Sequence, residues 1–146
     1  MYKVLQAQTK EELAAILQLR FKLLREPWNQ SIESASDHLE LTSVNAFIKD
    51  GAGTAIACGR LQENENKIGQ IRFMAVAGNY QGQGLGKLIV IFLEEKAKDL
   101  GLIKIELQAR ENAVEFYRLC GYHVKEKSFL LWGEIQHYLM EKRLGN

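Results

Sequence analysis

The chain has 146 residues, 47% of them apolar, which is the length and composition of one folded domain and excludes intrinsic disorder. Nineteen Lys and Arg against eighteen Asp and Glu leave a net charge of +1, so no global field exists to grip nucleic acid or an anionic membrane. Two cysteines, Cys58 and Cys120, and three scattered histidines, His38, His123 and His137, lack metal-ligand spacing; no metal is expected, and the thiols read as reduced, as in the cytoplasm.

Met1 to Gln6 lack the apolar core of a secretory leader, and the longest apolar run, Leu88 to Leu93, is too short to span a bilayer. Pro27 is the only proline and no segment reads as a linker, so residues 1–146 are expected to form one domain. In chain order, residues 2–6 read as a short strand. Thr9 and Glu12 fit a capping box, and Leu13, Ile16, Leu17 and Leu24 keep helical spacing, predicting a helix over 10–25 that Pro27 ends. Residues 28–42 predict a loop with a helical turn. Val44, Ala46 and Ile48 alternate with polar neighbours, as in a strand with one wet face. Turns at 50–53 and 62–66 then separate strands over 54–61 and 68–76, completing an antiparallel meander.

Leu85, Leu88, Ile89, Phe92, Leu93 and Ala97 form a helical stripe over 84–99, closed by Gly101. A strand over 103–107, a short helix over 111–119 and strands over 122–131 and 134–143 follow. The order β-α-(α)-β-β-β-α-β-α-β-β predicts an α+β fold. Its mixed, mostly antiparallel sheet has about seven strands, with about four helices on both faces.

The most informative segment is the strand Arg72-Phe-Met-Ala-Val76 followed by Gln81-Gly-Gln-Gly-Leu-Gly-Lys87. A glycine turn that opens a helix presents free N–H groups and a partial positive charge, a cradle for phosphate, with Lys87 as an added cation. A P-loop is excluded because Leu88, not Ser or Thr, follows Gly86-Lys87, and position 81 is Gln. A dinucleotide fingerprint fits poorly, since glycines 82, 84 and 86 read GxGxG after an antiparallel meander.

Gln81-Gly82-Gln83-Gly84-Leu85-Gly86 does match the acyl-CoA loop of the GNAT superfamily of N-acetyltransferases, Gln/Arg-x-x-Gly-x-Gly/Ala, at every fixed position. Ala113, Phe116, Tyr117, Gly121 and Tyr122 match a second family pattern, and the strand order resembles the family over nearly the whole chain. One departure is Arg110, where the family often has Asn; Asn112 lies nearby but out of register. Looser likenesses over 19–27, 108–117 and 135–142 resemble a subset of bacterial acetyltransferases.

The resemblance implies a GNAT-like sheet and an acyl-CoA-dependent N-acyltransferase. It would move acetyl from acetyl-CoA to a primary amine on a small molecule or peptide, by direct attack in a ternary complex. The implied cofactor contacts are Met74, Ala75, Val76, Gln81, Gly82, Gln83, Gly84, Leu85, Gly86, Lys87, Asn112, Phe116 and Tyr117. Backbone groups of Met74 and Val76 would pair with the pantetheine arm, an N–H at or near Met74 would meet the oxyanion, and residues 81–87 would hold the pyrophosphate.

Tyr117 is the implied general acid, since a phenol of pKa ~10 stays protonated at neutral pH; its plain alternative is packing on the cofactor. His137 is the best base by chemistry, with a packed core histidine as its alternative and Glu111, Glu115, His38 or water as competitors. Arg60 and Arg72 would bind an acidic acceptor, face solvent or pair with a Glu of a neighbouring strand. Cys120 reads as packing, and Trp28 and Trp132 as core residues or pocket walls. Three rivals stand beside the enzyme: a CoA-binding module without turnover, transfer of a longer acyl chain, and an unrelated nucleotide-binding fold. A homodimer through the last strands is open.

Overall fold

The computed structural model describes residues 2–145, and within them β1 (Leu5–Gln6), β2 (Val44–Lys49), β3 (Ala55–Glu63) and β4 (Ile68–Val76) form an antiparallel meander. β5 (Lys104–Arg110) joins β4 in parallel. β7 (Ile135–Arg143) lies between β5 and the edge strand β6 (His123–Leu131), giving the order β1-β2-β3-β4-β5-β7-β6. This is the mixed seven-stranded sheet expected from the sequence. β6, not β7, forms the free edge at that end, and His137 sits on an interior strand.

α1 (Lys10–Arg20) starts at the expected capping box: Thr9 Oγ1 accepts the Glu12 N–H at 3.1 Å and Glu12 Oε1 accepts the Thr9 N–H at 3.0 Å. The α geometry stops at Arg20 rather than Arg25, and Phe21–Arg25 form a π-turn closed by the Glu26 N–H donating to Phe21 O. One extra residue in the turn rotates everything beyond it by roughly 100° about the axis. Residues 26–42 hold three short 3-10 turns in place of a further helix.

Ile16 and Leu19 of α1 bury against Phe47, Ala55, Cys58 and Ala75 on one sheet face. α2 (Leu85–Asp99) and α3 (Val114–Leu119) cover the other face, where Ile89, Leu93 and Ala97 are fully buried against Ala57, Leu61 and Ile105. Each large apolar side chain so buried contributes about 1.5–3 kcal/mol. Helices on both faces explain why β2 is buried from Asn45 to Ile48 and has no wet face. Among the described residues no helix is long and apolar enough to cross a membrane.

Two features of β4 open the sheet. β4 and β5 pair only from Ile68 with Lys104 to Ile71 with Leu107, then diverge. At the divergence the β3–β4 register slips between Cys58 and Arg60, so Phe73 and Met74 together oppose Gly59. Phe73 takes φ +57°, a conformation disfavoured for a bulky side chain that the packing around it must hold. Only glycine fits opposite the bulge: a Cβ on Gly59 would lie 2.5 Å from Met74 Sδ and 2.7 Å from Ile89 Cγ2.

Candidate active site

The divergence of β4 and β5 leaves a cleft of about 400 Å³. Arg72, Phe73 and Met74 of β4 form one wall, and Gln108 to Arg110 of β5 form the other. Tyr117 of α3 enters from the α2–α3 side; His137 of β7, Phe129 of β6 and Leu24 and Arg25 of the π-turn complete the lining. Met74, Tyr117 and His137, separated by up to sixty-three positions in sequence, are thus brought to one cleft.

Tyr117 is almost fully buried, with its ring 4.9 Å from Phe116 and 6.0 Å from Tyr122. Burial, and then the nearby Cys120 thiol, push its phenol well above the ordinary value, so the hydroxyl stays protonated. Among the described residues no hydrogen bond engages that hydroxyl, in contrast to Tyr122, whose O–H donates to Glu94 Oε2 at 2.9 Å.

His137 is both packed and accessible to the cleft. Its ring stacks on Phe129 at 4.4 Å and 12°. Its Nδ1 lies 3.0 Å from the carbonyl oxygen of Ile135. A carbonyl only accepts, so Nδ1 carries the proton and, in the neutral ring, Nε2 keeps its lone pair. Burial lowers the imidazole below its ordinary value of 6.5, and Arg110, its cross-strand partner, lowers it further against the opposing pull of the Ile135 hydrogen bond.

The glycine segment lies at the other end of the gap. Residues 78–80 make a 3-10 turn, and Gln81 ties the loop to β4 by donating from Nε2 to Val76 O at 3.0 Å. Gly82 and Gly84 both take φ +82°, and neither has an atom within 4 Å of where a Cβ would stand. Gly84 is the N-cap of α2 and carries no side-chain cap, so the first N–H groups of this fifteen-residue helix face that open space. Gly86 instead meets protein: a Cβ there would be 3.0 Å from the Phe116 ring and 3.7 Å from Val76 Cγ2. Leu85 is buried in the core, while Gln83 and Lys87 are exposed. Asn112 is exposed in the turn before α3, and the Ala75 methyl packs under α1, so only the Ala75 backbone is available to a ligand. None of residues 75–87, Asn112 or Phe116 lines the cleft itself.

Several residues that sequence reasoning left unplaced converge behind Phe73. Arg60 is fully buried and donates to both carboxylate oxygens of Asp37, at 2.8 and 2.9 Å, and Arg72 donates to Asp37 Oδ2 at 2.9 Å. Their partner is therefore a loop aspartate, not a Glu of a neighbouring strand. Arg20, also buried, pairs with Glu40 at 2.5 Å and donates to Asn45 Oδ1 at 2.8 Å. The guanidinium carbons of Arg20, Arg72 and Arg60 stand 4.4, 4.6 and 5.0 Å from the Phe73 ring centroid. They grip the bulge by cation–π contact as well as by ion pairing.

The hydrogen bond from Arg60 holds the Asp37 carboxyl at about 2, below its ordinary 3.8. Its stabilising effect is complete above the unfolded value near 4 and is lost as pH falls through about 2. Asp37→Asn will therefore lower the thermal midpoint at neutral pH, with the gap from wild type closing below pH ~3 in acid melting curves.

Arg110 turns toward the α1 face, where its guanidinium covers the Trp28 ring at 4.7 Å and donates to Leu24 O at 3.1 Å. Trp28 and Trp132 stand 6.2 Å apart and half-buried, so they brace arginines at the cleft rather than fill the core. Burial, followed by Glu94, raises the Cys120 thiol, and burial pushes Cys58 up to about 11, so both thiols are held protonated. Among the described residues no group of three His, Cys, Asp or Glu side chains is placed to hold a metal ion.

Residues 10–122 match the acetyltransferase (GNAT) family. The chain is 30% identical to the uncharacterized N-acetyltransferase YjcF of Bacillus subtilis strain 168 over 141 residues, which are 96% of this chain and 99% of that protein. An acyl-CoA N-acyltransferase from Pseudomonas aeruginosa superposes with a TM-score of 0.84 at 21% identity, covering 97% of this chain and 99% of that one. An aminoglycoside 6'-N-acetyltransferase solved in complex with coenzyme A gives 0.82 at 14% identity, covering 99% and 98%. With the opened sheet and the glycine cradle in place, these matches establish that the chain belongs to the GNAT family of acyl-CoA N-acyltransferases.

Proposed function

We propose that this protein transfers an acetyl group from acetyl-CoA to a primary amine by direct attack in a ternary complex, in the cytoplasm. One observation carries the reading. The gap between β4 and β5 links an uncapped glycine cradle at one end to a cleft holding a protonated phenol and a neutral imidazole at the other.

In this reading residues 81–87 hold the pyrophosphate, with Lys87 adding charge. The pantetheine arm lies along the β5-facing edge of Met74, Ala75 and Val76, past the last β4–β5 pair, near Asn112 and Phe116. The amine nitrogen attacks the thioester carbonyl carbon, and His137 Nε2 takes the proton that the amine loses. The oxyanion meets the N–H of Met74, on the strand wall where the bulge re-aims the backbone. The carbon–sulfur bond then breaks and the Tyr117 hydroxyl gives its proton to the leaving thiolate. The two protonated cysteines support direct transfer, because a covalent acyl-cysteine would need a thiolate.

Calorimetric titration with acetyl-CoA, beside ATP and NAD, followed by thiol release with a panel of amines, tests the assignment. Binding of acetyl-CoA alone with amine-dependent thiol release supports transfer. Binding without any release over the panel supports a CoA-binding module, and no binding overturns the donor. For the base, kcat is expected to rise with pH through a single group titrating below 6.5, since only neutral imidazole accepts a proton and burial lowers its pKa. His137→Gln removes that acidic limb; a limb unchanged in the variant excludes His137.

A further inference from the structure

Resting on the acyltransferase reading, the geometry points to an acceptor amine that carries a second, anionic group, a carboxylate or phosphate, held by Arg25 and Arg110 with help from Arg72. The ionisable side chains lining the cleft are Arg25, Arg72, Arg110, His137 and Tyr117; none is a carboxylate. Behind them, Arg20 and Arg60 bring the local total to five guanidiniums, and the carboxylates that pair with them are Asp37 and Glu40.

Both carboxylates are committed to Arg20, Arg60 and Arg72. Among the described residues Arg25 and Arg110 have no carboxylate partner. Arg25 donates from Nε to Ser34 O at 3.1 Å and from NH1 to Leu24 O at 3.0 Å, and Arg110 donates from NH2 to the same Leu24 oxygen. Two carbonyl contacts orient Arg25 but cancel none of its charge. Its NH2 group, and Nε and NH1 of Arg110, make no hydrogen bond among the described residues.

Like charges gathered in a half-buried cleft repel, and a fold does not assemble them for stability. Burial and the neighbouring Arg110, Arg72 and Arg20 push Arg25 down to about 10, the mark of a cation short of counter-charge. The surroundings nonetheless fix these guanidiniums in place. Arg25 lies 5.3 Å from the Trp132 ring, Arg110 lies 4.7 Å from Trp28, and Trp132 itself is held at φ +53°. Stacking on an aromatic face leaves the in-plane N–H groups not used by Leu24 and Ser34, NH2 of Arg25 and Nε and NH1 of Arg110, available to the oxygens of an anion. The π-turn, by rotating Arg25 out of the α1 register, is what delivers its fork to the cleft.

The test follows the arginine side-chain NMR signals of the free and CoA-loaded protein during titration with succinate, inorganic phosphate and neutral succinamide. Arg25→Gln and Arg110→Gln assign the signals. Saturable shifts at Arg25 and Arg110 are expected with an anion and not with succinamide, each variant weakening the anion roughly 10- to 100-fold. Response to succinate over phosphate identifies a carboxylate, and the reverse a phosphate. No saturable response to either anion, or an equal response to succinamide, overturns the proposal. Acetyl-CoA affinity is measured on the same samples: its retention in both variants shows that they fold, and its absence from wild type defeats the acyltransferase reading independently of the anion result.

Discussion

Gly84→Glu is expected to abolish acetyl-CoA binding. Two effects act in the same direction. Gly84 holds φ +82°, where a side chain costs about 1–2 kcal/mol, so the loop must distort to accept the substitution. The new carboxylate also enters the space onto which the first N–H groups of α2 open. A unit charge about 4 Å from a phosphate in a partly wet site repels it by roughly 4 kcal/mol, close to a thousandfold in affinity. Gly51→Glu is the matched control, because it makes the same charge change in an open hairpin turn. Calorimetry should show loss of heat only for Gly84→Glu; wild-type affinity in that variant would remove the glycine loop from the donor site.

Tyr117→Phe is expected to reduce kcat by roughly 100- to 10,000-fold, the contribution of a positioned general acid, with acetyl-CoA affinity little changed. The ring packing on Phe116 and Tyr122 survives the substitution, and no protein hydrogen bond is lost with the hydroxyl. Stability should stay within about 0.5 kcal/mol. A packing role would leave kcat near the wild-type value, so kcat and not stability separates the two roles. The decisive readout is the leaving group. An acetyl thioester of a more acidic thiol needs no proton as it departs, so it should restore most of the lost rate in Tyr117→Phe while barely accelerating wild type.

The order of strands and helices was legible because each element carries its own period. α2 shows a clear apolar stripe, and β4 alternates buried and half-buried positions from Ile68 to Val76. The glycine loop was legible because positive φ demands glycine at Gly82 and Gly84. The bulge was not. Phe73 and Met74 continue an apolar pattern with no glycine or proline to mark the slip, and the glycine that permits it, Gly59, lies on the neighbouring strand.

The π-turn was equally silent, since Leu23, Leu24 and Arg25 are good helix formers whose register is decided by tertiary contacts. Asp37 sits in a segment without periodicity, and its meeting with Arg60 and Arg72 joins positions twenty-three and thirty-five residues apart. No local pattern encodes such a meeting. The cleft was therefore only half visible: Tyr117, His137 and Met74 stood out by chemistry or resemblance, whereas Arg25 and Phe129 joined them only through the fold.

The short β4–β5 pairing has a mechanical side. Four residue pairs, with the α2 crossover beside them, fasten the β1–β4 half of the sheet to the β5–β7 half. Past them no strand pairing joins the two halves. A donor threaded through the slot would act as a rivet, supplying backbone partners that the chain itself withholds and stiffening both halves at once. At a hundred times its dissociation constant such a ligand adds about 2.7 kcal/mol to stability. That gain should appear as slowed amide exchange along residues 72–76 and 108–110, the stretch where the sheet's own pairing stops.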